Sequence, residues 1–145
     1  MNRPDVVELR QFYSSALGRL VRQHLNKAVQ AHWPRLQGDL ILGLGYATPV
    51  LRHFQEAEAA GSFSVISAMP ADQGGVYWPS HLENRTLLID DYRLPFADNV
   101  MNRVILLHEL ENVEQERVLL QELWRVLTPG GRMLVLVPNR RRVWA

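Results

Sequence analysis

Residues 39–49 read DLILGLGYATP, and the rest of the chain is ordered around them. Apolar residues 40–42 are expected to form a strand that enters a turn of small residues, Gly43, Gly45 and Ala47, and then a helix capped by Thr48 with Pro49 at its first position. A threonine hydroxyl can accept from an orphan N–H of the first turn, and proline there lacks only a donor that would have no partner anyway. Strand, tight turn and helix start make a ligand corner. Small residues let a bound molecule approach the backbone, and the free N–H groups favour a polar or anionic group. A glycine turn occurs in many folds, so its flanks must decide.

Upstream, residues 5–32 have helical period: Val6, Leu9, Tyr13, Leu17, Leu20, Val21, Leu25 and Val29 recur at threes and fours. Ser14, Ser15 and Gly18 interrupt the pattern, so one bent helix and two helices are both open, and Trp33-Pro34 ends it. Downstream, a helix is expected over residues 49–60 with Gly61 as its stop, a strand over 63–68, mostly loop over 70–85 and a strand over 86–89 closed by Asp90-Asp91. A turn-rich connection over 92–99 leads to an apolar strand over 104–107. Then come a helix over 113–127, the breaker Thr128-Pro129-Gly130-Gly131 and a last strand over 133–137. Alternating strands and helices predict an α/β fold, a Rossmann-like three-layer sandwich with a mostly parallel sheet, preceded by an N-terminal helical segment (1–38) packed on a core (39–145). Such sheets bind ligands outside the carboxyl ends of their strands, here Gly43 to Ala47, Ala68-Met69, Asp90-Asp91 and His108-Glu109.

Composition narrows the function classes. A chain of 145 residues with 47% hydrophobic and 21% charged residues suits one globular domain. A net charge of +1 gives no global field for nucleic acid or an anionic membrane. The chain has no cysteine, which removes thiolate chemistry and suits a reducing cytoplasm, the expected location. The opening MNRPDVVELR has no apolar core of a signal peptide, and no run approaches the roughly 18–20 apolar residues of a membrane span. His24, His32, His53 and His81 are scattered without paired spacing, so no metal site is expected.

The second half carries the most specific signal. DDYRLPFADN, VILLHELEN, ELWRVL and LTPGGRM follow one another between residues 90 and 133. In that order they resemble the class I S-adenosylmethionine-dependent methyltransferases, in particular those of ubiquinone and menaquinone biosynthesis. The resemblance implies S-adenosylmethionine as cofactor and an unidentified small-molecule acceptor. It sets Gly43, Gly45 and Ala47 against the methionine and ribose part, Asp90 near the adenine amino group with the backbone of Asp91 and Tyr92 in reach, and His108 and Glu109 where donor and substrate meet. It identifies no catalytic residue, because the sulfonium drives the reaction and the protein mainly aligns the reactants.

The chain also departs from the family pattern. The first turn there reads D-x-G-x-G-x-G, where this chain has Gly43, Gly45, Ala47 and Pro49, and the second strand ends SAMP where an acid would hold the ribose. These departures motivate a second reading, a non-catalytic methyltransferase-like module. The family's sheet continues past its fifth strand, so residues 133–137 would be an apolar edge in a truncated chain, or one covered by another copy in a homo-oligomer. Local alternatives stand beside each assignment: Asp90 and Asp91 as turn residues, His108 bonded to neighbouring loops, Tyr13 as helix packing or as a lid, and Arg140 to Arg142 as a solvated tail.

Overall fold

A computed structural model describes residues 4–33, 39–51, 54, 63–71 and 86–137. Five parallel strands lie in the order β3-β2-β1-β4-β5: β1 Asp39–Gly45, β2 Phe63–Pro70, β3 Thr86–Ile89, β4 Met101–Leu107 and β5 Leu127–Leu136. Chain order reverses between β1 and β4, so their carboxyl ends flank the switch point of the sheet. Gly45 pairs with Leu107, and Pro70 with Ile89, which brings all four carboxyl ends to one rim as expected. The all-parallel sheet is the predicted Rossmann-like core.

The strands run longer than their apolar stretches. Gly43 and Gly45 belong to β1, because backbone pairing holds Gly43 between β2 and β4 and Gly45 against β4. β4 begins at Met101, and its polar Asn102 closes the sheet end by accepting from the Leu40 N–H at 2.8 Å. The breaker at residues 128–131 is an irregularity inside β5: Met101 pairs with Leu127 and Arg103 already with Arg132. Gly130 takes a φ of 81°, which suits glycine in such a bulge.

Two helices precede the sheet, α1 Val6–Ser14 and α2 Ala16–His32, divided at Ser15. Ser15 is extended, and its Oγ accepts from Gly18 N at 3.1 Å to cap α2. A Cβ on Gly18 would lie 1.8 Å from the Phe12 carbonyl oxygen, so glycine is what lets the two helices meet this closely. Ala47 now precedes the helical turn over residues 48–51, and Val50 N donates to its carbonyl at 3.0 Å. Thr48 is therefore a first-turn residue and not the cap. The expected helix stop, most of the 70–85 loop, His53, His81 and the basic tail lie outside the described residues.

On one sheet face Leu42, Leu44, Ala68, Val104 and Leu106 pack with Leu119, Leu123 and Val126 of α3, Glu116–Val126. The helix is shorter than its periodicity, since Leu110–Asn112 forms a 3₁₀ turn before it and Leu127 starts β5. Trp124, apolar in the pattern, is 81% exposed. The other face packs Ile41, Val65, Ile105 and Leu107 with Val29 and Trp33 of the N-terminal segment and Val50, Leu51 and Phe54.

The ELWRVL motif turns out to be a clamp. Glu122 accepts from Leu94 N at 2.6 Å and from Arg125, whose guanidinium also donates to the carbonyls of Leu94 and Phe96 and pairs with Asp98 at 2.8 Å. One Glu and one Arg, three apart on α3, thus hold the whole LPFAD turn. The Arg125 bond, opposed by burial and helped by the Leu94 amide, holds the Glu122 carboxyl below its ordinary range.

 A carboxyl held low stabilises the fold fully above the unfolded value near 4.5, and that contribution is lost as pH falls through the lower folded value. Glu122→Gln should therefore lower the denaturation midpoint at neutral pH and flatten the acid limb of the stability curve. An acid limb identical to that of the parent chain would show that the clamp contributes nothing there.

Candidate functional site at the carboxyl rim

The rim is built from the last residues of β1, β2 and β4 and roofed by α1. Tyr46 follows β1, Met69 nearly ends β2 and His108 follows β4; all three are buried. Val6, Leu9 and Tyr13, the buried stripe of α1, pack with Tyr46 and Met69 in one cluster. Tyr13 stacks on Tyr46 with ring centroids 6.0 Å apart and meets the His108 ring edge-on at 5.7 Å. Its Oη lies 2.7 Å from His108 Nε2. Burial pushes both phenols up from their ordinary value, Tyr46 against the opposing effects of a hydrogen bond with Thr48 and the charges of Arg10 and Arg22. A phenol that keeps its proton can donate to Nε2 of a neutral imidazole.

His108 takes a φ of 56°, a left-handed conformation that a side chain adopts only where its surroundings impose it. Here those surroundings are a tight chain reversal: Tyr46 N donates to Leu107 O at 2.9 Å, Asn112 Nδ2 to His108 O at 3.2 Å and Asn112 N to Glu109 O at 2.9 Å. Glu109 is fully buried beside it.

The glycines have packing roles of their own. A Cβ on Gly43 would lie 2.4 Å from Leu51 Cδ1, so this glycine lets the next helical turn sit on the sheet. Gly45 has a φ of +91°, and a Cβ there would lie 2.4 Å from Leu107 O and 2.9 Å from Glu109 Cβ. Ala47 is fully buried against the α2 side of the sheet. Asp90, exposed after β3, accepts from Tyr92 N at 2.9 Å and bridges to Arg93. Tyr92 is likewise committed to the scaffold, its hydroxyl accepting from Gln115 N at 3.1 Å. Asp91 is half-buried in the same turn. The structure thus brings Gly43, Gly45, Ala47 and His108 together at the switch point, and sets Asp90, Asp91 and Tyr92 at the end of β3.

The sequence profile described as a methyltransferase domain matches residues 43–135, from the glycine corner to the fifth strand. The chain belongs to the methyltransferase domain family. Demethylmenaquinone methyltransferase of Corynebacterium urealyticum is 32% identical over 98 residues, which cover 68% of this chain and 41% of that protein. The chain thus spans less than half the length of this relative. A S-adenosylmethionine-dependent methyltransferase from Thermotoga maritima superposes with a TM-score of 0.67 at 15% identity, over 93% of this chain and 59% of that one. The [4+2]-cyclase SpnF has the same fold, with a TM-score of 0.58 at 22% identity over 77% of this chain and 43% of that one.

S-adenosylmethionine is the cofactor that goes with membership of this methyltransferase family. Of the residues assigned to such a molecule, Asp90 is exposed at the end of β3, while the Cβ positions of Gly43 and Gly45 meet protein atoms. Ser67 on β2 is fully buried with a hydroxyl that no described residue bonds. At the end of β2 the apolar pair Met69 and Pro70 stands in place of an acid, and both are buried. One aromatic residue that lines the rim escaped the sequence pattern. Tyr46 is hidden by the glycines around it, and a buried aromatic inside a turn of small residues is the signal that could have revealed it. Tyr13 was open between helix packing and a lid; it packs, and it packs on the site.

Proposed function

We propose that this chain transfers the methyl group of S-adenosylmethionine to a small-molecule acceptor at the rim roofed by α1. What supports the reading best is the position of the matched family segment: it begins at Gly43 and ends in β5, and so spans the switch point between β1 and β4. When bound, the sulfonium supplies an electrophilic methyl group. The backbone of Gly45 to Ala47 would lie against the amino-acid and ribose part, Asp90 would accept from the adenine amine, and His108 would orient the acceptor. The Corynebacterium relative, by its name, acts on a quinone precursor, and an aromatic acceptor of that kind suits the apolar surface of Tyr13, Tyr46 and Met69.

A second reading, a methyltransferase-like module without catalysis, draws on two observations. Protein atoms fill the space beside Gly43 and Gly45, and α1 roofs the rim. Calorimetric titration separates the two. Saturable binding of S-adenosylmethionine or S-adenosylhomocysteine in the micromolar range is expected, and the absence of binding up to millimolar ligand would leave the module reading in place.

A further inference from the structure

Helix α3 carries two stripes. Leu119, Leu123 and Val126 are fully buried against the sheet. Away from them Arg117, Leu120, Gln121 and Trp124 follow one another at i, i+3, i+4 and i+7, the spacing of a seam between two helices. All four are exposed, and with Glu116 they line an open groove. Trp124 is more exposed than any other large apolar residue described. Tryptophan is also the residue most enriched among the anchors of protein interfaces. Its neighbours Glu122 and Arg125 hold the turn at residues 94–98, so α3 cannot roll without breaking that clamp. The stripe is therefore presented already ordered, which lowers the entropy lost on docking.

The order of residues along the stripe says what fits it. A cation stands at one end and an aromatic ring at the other, and Arg117 has no ion-pair partner among the described residues. An antiparallel copy centred between Leu120 and Gln121 sets Arg117 of each chain opposite Trp124 of the other, and Leu120 opposite Gln121. A guanidinium over an indole face is a favourable cation–π pair, and the two-fold axis makes it twice. Parallel pairing would instead set the two arginines against each other, so charge selects the antiparallel arrangement.

We infer that the groove along α3 docks a second copy of this chain, as an antiparallel helix pair about a two-fold axis. This contact is separate from the edge pairing that the sequence suggests for residues 133–137, and it does not depend on the methyltransferase reading. One helix stripe is a small interface, so the dimer should be weak, with a dissociation constant of roughly 10–100 μM.

Sedimentation equilibrium of the full chain reads the association. Trp124→Ala and Arg117→Glu should each weaken it by about tenfold or more. Both should leave the urea midpoint unchanged, because the two side chains are exposed. The chain has no cysteine, so a single introduced thiol reports its own neighbour. Under mild oxidation Gln121→Cys should cross-link to its own copy, since position 121 lies beside the two-fold axis. Arg117→Cys should not, because its two thiols would stand roughly 10 Å apart along the helices. Cross-linking through position 117 would mean parallel pairing and overturns the assignment. Association that survives Trp124→Ala, with no cross-link at position 121, puts the contact elsewhere, as at the β5 edge, and overturns it too. So does a parent chain that stays monomeric at millimolar concentration, whatever else covers Trp124.

Discussion

Gly45→Ala should cost the fold roughly 2–5 kcal/mol, the sum of a left-handed backbone that disfavours any Cβ and an overpacked junction between β1 and β4. The φ of +91° sets the first part, and the 2.4 Å approach to Leu107 O sets the second, since a backbone carbonyl paired in the sheet cannot step aside. Urea denaturation should show a lower midpoint at unchanged slope. A corner whose glycines served only to admit a bound molecule would give a different result, with a larger residue at position 45 blocking ligand and leaving the fold intact. An unchanged midpoint with lost nucleoside binding would restore that simpler view. Gly43→Ala should be milder, because its first obstacle is the Leu51 side chain, which can rotate.

Tyr13→Ala should release α1 from the rim. The residue is 2% exposed, stacks on Tyr46 and bonds His108, and truncating a buried aromatic costs roughly 3–5 kcal/mol. Val6 and Leu9, the other buried residues of α1, offer less area. Amide exchange should therefore rise to unprotected rates over residues 6–14 while β1 and β4 stay protected. Tyr13→Phe removes only the bond to His108 and should cost about 0.5–1.5 kcal/mol. If α1 stays protected in Tyr13→Ala, its anchor lies elsewhere and the roof is not held by this side chain.

Much of the fold was legible because its causes are local. The strand over residues 86–89 was bounded correctly, since a short apolar run met Arg85 on one side and Asp90-Asp91 on the other. The order of strands and helices, and with it the parallel sheet, followed from alternation alone. Boundaries failed where partners decide them. Gly43 and Gly45 read as a turn because glycine has no strand preference, yet β4, and for Gly43 also β2, holds them in β1. Residues 101–103 stood outside the expected strand because Asn102 and Arg103 interrupt the apolar run, and residues 128–131 read as a stop although β4 carries the chain through them as a bulge.

The site divides along the same line. By itself the sequence determined the family, because LPF, HELE and LTPGGRM are contiguous motifs whose order needs no knowledge of contacts, and it placed Asp90 and His108 at strand ends for the same reason. Only the tertiary structure decided that Glu122 and Arg125 clamp the LPF turn, that Gly45 answers to Leu107, and that Tyr13 packs on Tyr46 and His108. Those are encounters between residues from 27 to 95 positions apart, and helical periodicity, which says that a face is covered, cannot say by what.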